Sequence, residues 1–276
     1  MELGKTNILT IVRRTDHGFY LEDKDGNEVL LPNSYIEADM EIDDVVEVFV
    51  YRDSEQRLIA TTLKPYAEVG EFAFLKLKQL DKVGAFMDWG LQKDLLVPYA
   101  EQPFEMEEGN SYLIFIFEDE ETHRIIGSAK ENDFLFFDEI DVREGDQVDL
   151  LLFKQSELGM NAIVNNLYKG LIFNSDIHQE IKPGDRIKGY VKKVRKHGKI
   201  DLTLAKPGYK NSIDEIADAI MHLVDENNGK LYLTDKSSPE EINNKLGISK
   251  KAFKRGLGYL YKSGKLTFQK DHVAKK

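Results

Sequence analysis

The stretch V-G-A-F-M-D-W (83–89) alternates in the manner of a half-buried β-strand. One face of this strand is apolar, is expected to pack against a core and carries Val83, Ala85, Met87 and Trp89. The opposite face carries Gly84, Phe86 and Asp88. The sequence therefore predicts a phenylalanine ring on the polar, solvent-facing side of a strand.

The same pattern recurs in H-G-F-Y-L-E-D (17–23) and L-G-M-N-A-I-V (158–164). Each copy is followed by a second short apolar segment and then by a hairpin; these hairpins are 45–65, 110–130 and 185–208. With one initial strand, each unit has five short strands. Such units favour a small barrel of the OB type over a β-sandwich, because a closed unit suits so short a repeat.

The repeats can also be compared position by position. Tyr20 in the first repeat stands where Phe86 stands in the second, and the third repeat has Asn161 there. The core face of the first repeat is expected to carry His17, Phe19 and Leu21. An outward aromatic ring is therefore a shared feature of the first two repeats.

The last part of the chain has a helical pattern instead. Residues 211–229 are amphipathic, and Ser212 with Glu215 fits a capping box. Ser238, followed by Pro239, is expected to begin a second helix, and Ser249 a third. The segment G-K-L-T-F-Q (264–269) adds a short hairpin. Three helices and a β tail predict a winged helix-turn-helix domain.

Composition limits the chemistry. The chain has no cysteine, and its six histidines are scattered without metal-ligand spacing, so we expect no cofactor and no metal. No catalytic motif is present and we expect no enzyme, although scattered carboxylates leave a magnesium-dependent nuclease open. The absence of a secretory signal pattern and of an apolar run of about 20 residues predicts a cytoplasmic protein.

The net charge of −11 is unevenly distributed. Residues 1–134 carry 13 Lys and Arg against 29 Asp and Glu, a balance of −16. Residues 135–276 carry 25 against 20, a balance of +5, and nine of these cations fall within 182–206. The acidic composition thus conceals a basic surface in the second half, which suits a polyanionic partner.

These motifs carry a resemblance to known families. V-G-A-F-M-D-W-G (83–90) with R-I-I-G-S-A-K (124–130) resembles the S1 RNA-binding domain, an OB-fold module, whereas the third repeat departs from it at Asn161. Three such repeats, followed by T-D-K-S-S-P-E-E-I (234–242) and S-K-K-A-F-K-R-G-L-G-Y-L-Y-K (249–262), resemble the bacterial conserved virulence factor B (CvfB) family over essentially the whole chain. The resemblance implies RNA binding and regulation of gene expression, with virulence among the regulated traits.

The predicted fold is mainly β, with three tandem OB-fold (S1-type) five-stranded barrels and a C-terminal α+β winged helix-turn-helix domain. The predicted domains are 1–65 and 66–134, both S1-like, 135–207, a divergent S1-like barrel with a basic surface, and 208–276, the winged helix.

Single-stranded nucleic acid is held by aromatic rings that stack on bases and by cations along the phosphates. Phe86 and Tyr20 suit the first role, and packing against a neighbouring domain is the competing interpretation. Arg57, Arg124 and Lys199 precede the final strand of each hairpin, where the S1 pattern has a cation that faces nucleic acid. Acids surround the two arginines, so the first two repeats are also candidates for spacers or protein-contact modules.

The second half supplies the remaining candidates for RNA binding. Those in the third repeat are the aromatic residues Tyr168 and Phe173 and the cations Lys188, Lys192, Lys193, Arg195, Lys196 and Lys199. Those in the third helix of the winged domain are Lys250, Lys251, Lys254, Arg255 and Lys262. That helix lacks Asn or Gln to read base edges, which favours phosphate contact, with protein docking as the competing interpretation.

We therefore expect an RNA-binding regulatory protein of gene expression. It would hold single-stranded RNA, with weak sequence preference, mainly through the basic third OB domain and the winged helix. Two alternatives stay open: a protein-interaction scaffold associated with polymerase or ribosome through the acidic N-terminal domains, and a DNA-binding transcription regulator that uses the winged helix. No membrane partner is expected.

Overall fold

The structure is a computed structural model that describes residues 1–53, 55–177, 179–205, 213–269 and 271–276. The strands of its barrels are β1 (Lys5–Thr15), β2 (Gly18–Glu22), β3 (Glu28–Pro32), β4 (Val45–Arg52), β5 (Leu58–Thr61), β6 (Phe72–Asp81), β7 (Gly84–Met87), β8 (Leu95–Pro98), β9 (Ser111–Glu118), β10 (Ile125–Ser128), β11 (Gln147–Gln155), β12 (Gly159–Val164), β13 (Tyr168–Phe173), β14 (Arg186–Val194) and β15 (Ile200–Thr203). The elements after the barrels are α1 (Ile213–Glu226), β16 (Lys230–Leu231), α2 (Pro239–Leu246), α3 (Lys250–Lys262), β17 (Leu266–Phe268) and β18 (Val273–Lys275). The predicted junction at 207, together with Ser212 and the Glu215 side chain, lies outside the described residues.

The barrel strands form three copies of one topology. The first and third are closed barrels with the orders β1-β2-β3-β5-β4 and β11-β12-β13-β15-β14. The second is a sheet of order β10-β9-β6-β7-β8. It is nearly closed, because a Cβ on Gly127 of β10 would lie 3.0 Å from Val97 of β8. The predicted five-stranded OB arrangement and mainly β fold class are confirmed.

One glycine explains why the three repeats align. Gly18, Gly84 and Gly159 begin the second strand of each barrel with φ of +149°, +149° and +153°. A Cβ at these positions would lie 2.0, 2.2 and 2.0 Å from a carbonyl oxygen of the paired strand. Any side chain would therefore add backbone strain and a clash, so only glycine lets these strands pair this closely.

The alternation within these strands has the predicted direction. Buried side chains on the core faces are Phe19, Leu21, Ala85, Met87 and Trp89. The prediction is wrong for Val83, which is 56% exposed, and for His17, which is exposed. Both lie in the turn before the strand, and side chains alternate between the two faces of a sheet only within the strand itself.

The first and second barrels share part of a core. Phe49 of β4 packs edge-on against Trp89 with ring centroids 5.5 Å apart, and Tyr51 joins the same cluster. The indole Nε1 of Trp89 donates a hydrogen bond of 2.8 Å to the carbonyl of Ala67, in the segment between the barrels. Burial raises the pKa of the Tyr51 phenol, as expected for a ring inside this cluster.

The second and third barrels meet through a separate apolar cluster. Its buried members are Phe72, Leu113, Leu135, Leu151 and Ile163. The Arg186 guanidinium donates to the carbonyl of Phe72 at 2.7 Å, and the Phe72 amide donates to the Asn166 side-chain oxygen at 3.2 Å. Polar bonds around an apolar centre fix the relative position of these two barrels.

The C-terminal domain is the predicted winged helix. Helices α1 to α3 pack on a small sheet of order β16-β18-β17 around a core that includes Phe253. Ser238 begins α2 with a capping box and Pro239 in the first turn, and Ser249 caps α3. Among the described residues, no helix is long and apolar enough to cross a membrane.

Candidate nucleic-acid interface

Tyr20 lies on the outer face of the first barrel but is not a free ring. The Arg13 guanidinium lies 3.6 Å from its centroid, so one face of the ring is covered. Arg13 also donates to the Glu28 carboxylate at 2.6 Å, and this hydrogen bond raises the pKa of Arg13. A base stacking on Tyr20 would have to use the other face or displace this pair.

Phe86 also faces outward and is half-buried, beside Gln79 and Leu96 in the register of the sheet. The nearby cation Lys78 is engaged by Asp94 at 2.7 Å and Asp88 at 3.7 Å. The hydrogen bond that Lys78 donates to the Asp94 carboxylate raises the pKa of Lys78. The ring is thus present at the predicted place, next to a cation whose charge is already neutralised.

The hairpin arginines of the first two barrels are in acidic surroundings. Arg57 pairs with Asp53 at 2.7 Å and with Glu55 at 2.9 Å. Burial acts to raise the pKa of Asp53, but the hydrogen bonds from Arg57 outweigh it and hold that pKa below its ordinary value. Arg124 is exposed and lines a crevice with Tyr51 and Lys93 at the junction of the two barrels. Arg57 is therefore neutralised by its neighbours, whereas Arg124 lies in the crevice between the barrels.

The third barrel presents a different outer face. Asn161, Leu171 and Asp201 lie side by side across β12, β13 and β15. Phe173 follows on the same side of β13, and the Arg195 guanidinium lies 5.5 Å from its ring centroid. These side chains line a cavity of about 470 Å³, which we call the groove. It combines an apolar floor with polar and basic edges.

Tyr168 does not belong to this groove. It is 6% exposed and lies in the core of the third barrel, and its hydroxyl accepts a hydrogen bond of 3.1 Å from the Asp141 amide. Alternation along β13 directs Tyr168 inward and Phe173 outward. The prediction that Tyr168 is a stacking ring is corrected on this ground, since its faces are not accessible to a base.

The cations of the third barrel fall into two groups. Those paired with a carboxylate are Lys188 with Asp149 at 2.5 Å, Lys192 with Asp176 at 2.7 Å and Arg195 with Asp201 at 2.7 Å. Lys193, Lys196 and Lys199 are exposed, and no ion pair is found for them in the part of the chain that the structure describes. Lys199 lines the groove, whereas Lys188 lines another crevice near Arg186. Within the described residues, the candidate cations of this barrel that lack an ion pair therefore lie in the β14–β15 hairpin.

Helix α3 carries the winged-helix candidates. Phe253, Leu257 and Leu260 are buried on its inner face. Exposed positions on the other sides include Lys251, Lys254, Arg255 and Lys262, and Lys250 is half-buried at the first turn. The exposed ring of Tyr261 lies 5.1 Å from that of Phe268 on β17. A basic surface with an aromatic pair at its edge has the composition of a nucleic-acid contact surface.

Several groove residues were missed in the sequence. Phe137, Leu158 and Lys169 line it but come from outside the motif or from its edges. The run F-L-F-F (134–137) is the signal that could have pointed to Phe137, since an apolar run between acids is unusual in a linker. Within the described residues, no group of three or more His, Asp and Glu side chains could hold a metal ion.

Comparison with known proteins places two of these domains in described families. An S1 domain model matches residues 3–63, and a CvfB-like winged helix domain model matches residues 218–274. The chain is 29% identical to the protein named YitL of Bacillus subtilis, which is described as uncharacterized, over 96% of this chain and 91% of that protein. It is 27% identical to conserved virulence factor B of Staphylococcus epidermidis, over 97% of this chain and 95% of that protein.

One solved structure is similar to this chain in sequence over nearly its whole length. It is a crystal structure from Streptococcus pneumoniae described as a multidomain protein with nucleic acid binding domains, 24% identical over 99% of this chain and 98% of that one, with a TM-score of 0.43. The resemblance expected from the motifs is confirmed: this chain contains an S1 domain and a CvfB-like winged helix domain, and it is similar over nearly its whole length to proteins named conserved virulence factor B.

Proposed function

We propose that the protein is a cytoplasmic RNA-binding regulator of gene expression, and that it holds single-stranded RNA mainly through the third barrel and the winged helix. S1 and winged-helix domains are nucleic-acid-binding types, which supports the general activity. The observation that supports the leading role of the third barrel is that Lys199 lines the groove while Lys193 and Lys196 lie in the same hairpin, all three exposed and without an ion pair among the described residues.

The chemistry of the groove favours a flexible single strand. Leu171 and Phe173 offer an apolar surface for unstacked bases, and the lysines of the hairpin can follow the phosphates. A duplex keeps its bases stacked and offers only backbone to such a surface. Binding would be salt-dependent and tolerant of sequence, because backbone contacts dominate it. Catalysis is not part of the proposal.

The acidic barrels would have a positioning role. Arg57 is neutralised by Asp53 and Glu55, and the Tyr20 ring is partly covered by Arg13. A second proposal gives these barrels protein partners, favoured by the exposed rings of Tyr99 and Phe104. These rings lie in a barrel that carries few cations.

The test uses the full chain, a labelled single-stranded RNA of mixed sequence and a salt series. We expect the double variant Lys196→Ala/Lys199→Ala to bind more weakly, with the slope of log K against log salt reduced by about 1.4, because two phosphate contacts are lost. The matched control is Lys24→Ala/Lys64→Ala, which removes two exposed lysines from the first barrel and should leave affinity unchanged. Fluorescence anisotropy measures both.

Two results would overturn the proposal. One is equal affinity of the groove variant and the wild-type chain at every salt concentration. The other is tighter binding of the wild-type chain to duplex DNA than to the single-stranded RNA, which would favour a DNA-binding regulator led by the winged helix.

A further inference from the structure

The third barrel lacks the outward aromatic ring of the other two, since Asn161 stands where Tyr20 and Phe86 are found. The Asn161 side-chain amide donates a hydrogen bond of 3.0 Å to the carbonyl of Lys154 and therefore links β12 to β11. A groove that is to hold bases through stacking needs rings from another source. One such ring is Phe173, and the structure supplies a second from outside the barrel.

The second ring comes from residues 131–137, which connect the second and third barrels and which we call the strap. Phe134 of the strap stacks on Phe115 with ring centroids 4.1 Å apart. Glu131 pairs with Lys169 at 3.0 Å, and the Phe136 amide donates to the carbonyl of Leu167 at 2.9 Å. The strap is therefore held against both barrels, and its last residue, Phe137, is carried to the edge of the groove.

The basic hairpin closes on the strap at one point. Gly198 has φ of +67°, and a Cβ there would lie 2.3 Å from the carbonyl oxygen of Phe137. Only glycine permits this approach of two backbones, because a side chain would clash and the φ value would be strained. The approach places the Phe137 backbone against the hairpin, and the Phe137 and Lys199 side chains line the same groove.

Phe137 is exposed although its backbone is fixed. The residue is 39% exposed, and its side chain lines the groove together with Leu158 and Phe173. Phe136, the neighbouring ring of the strap, is 59% exposed and does not line the groove. A ring held in place in the groove that Lys199 also lines is preorganised to stack on a base while that lysine contacts a phosphate.

We propose that Phe137 stacks on an unpaired base of single-stranded RNA in the groove, and so replaces the aromatic position that the third repeat has lost. The proposal rests on the proposed function, because it names the residue that holds the base. Under this proposal both barrels contribute to the RNA site, because Phe115 of the second barrel packs against Phe134 of the strap.

The experiment measures RNA binding by the full chain, with single-stranded RNA that contains a fluorescent purine analogue whose emission falls when it stacks. Phe137→Ala and the volume-retaining Phe137→Leu are expected to bind roughly 5- to 150-fold more weakly, the equivalent of one stacked base. Both should also lose quenching, whereas Phe137→Tyr retains it. Phe136→Ala is the matched control and should behave as the wild-type chain.

The outcomes separate the two proposals. Wild-type affinity and quenching in Phe137→Leu would overturn the role of Phe137 while the proposed function stands. Absence of RNA binding by the wild-type chain would overturn both. A loss in Phe137→Leu with an unchanged urea midpoint of unfolding, together with retention in Phe137→Tyr, supports stacking by an aromatic ring.

Discussion

Asp201 determines how much positive charge the groove presents. Asp201 is 8% exposed and its carboxylate accepts a hydrogen bond of 2.8 Å from Arg195 Nε, so one guanidinium is neutralised within the groove. Arg195 is itself half-exposed, and its ring contact with Phe173 keeps it near the groove. The pair therefore reduces the charge available to phosphates.

Asp201→Asn is expected to strengthen RNA binding, because it removes the charge and keeps the shape of the side chain. One additional phosphate contact by Arg195 would steepen the salt dependence by about 0.7. The control is Asp39→Asn, an exposed acid of the first barrel that should have little effect. Weaker binding by Asp201→Asn with an unchanged unfolding midpoint would contradict the prediction.

At the level of single residues, the alternation of apolar and polar residues predicts which face of a strand a side chain occupies. It predicts less well how exposed that side chain is. Alternation correctly places Phe86 outside and Met87 inside, because neighbouring residues of a strand point to opposite faces. It also places Tyr168 inside once β13 is known to begin there, but the sequence does not show where a short strand begins. Whether an outward ring is covered depends on side chains distant in sequence, as Tyr20 and Arg13 illustrate.

The second element of the winged helix depends on local hydrogen bonds at its start. The Ser238 hydroxyl accepts from the Glu241 amide at 3.1 Å, and the Glu241 carboxylate accepts from the Ser238 amide at 2.9 Å. The bond from the Ser238 amide lowers the pKa of Glu241. The ionised carboxylate is thus favoured in the folded state, and this capping box could be identified from sequence because all its members are local.

Glu241→Ala is expected to lower the thermal stability of the helices at neutral pH more than Glu240→Ala does, because only Glu241 closes the capping box. A folded-state pKa below the unfolded value of about 4.3 means that this stability is present above that pH. It is lost as the pH falls through the folded-state value. Thermal unfolding monitored by circular dichroism at neutral and acidic pH should show the difference between the variants vanish in acid; a difference that persists would contradict the assignment.

On the scale of the whole molecule, the barrels are joined by apolar contacts as well as by linkers. Phe72 is 0% exposed and lies in the cluster between the second and third barrels, where its carbonyl accepts from Arg186. The Phe115 and Phe134 rings that hold the strap belong to the same cluster. The position of Phe137 at the groove therefore depends on how these barrels pack.

Phe72→Ala is expected to lower the free energy of unfolding by about 3–5 kcal/mol, since it leaves a cavity between two barrels. Phe104→Ala removes a ring that is 49% exposed on the second barrel and should cost within about 0.5 kcal/mol. Urea denaturation followed by intrinsic fluorescence compares the two. Equal costs would show that the cluster does not couple the barrels.

The sequence by itself determined the repeating unit, the winged helix and the division of charge. Strand alternation, helix caps and the recurring glycine are local, so they can be predicted without knowledge of the fold. The tertiary structure decided which cations are unpaired and which rings are accessible. Arg57 and Lys199 hold the same place in their repeats, yet only Arg57 has acids within ion-pair distance in the described residues. Phe137 reaches the groove because strap and hairpin backbones meet at Gly198, a contact between segments that are far apart in the chain.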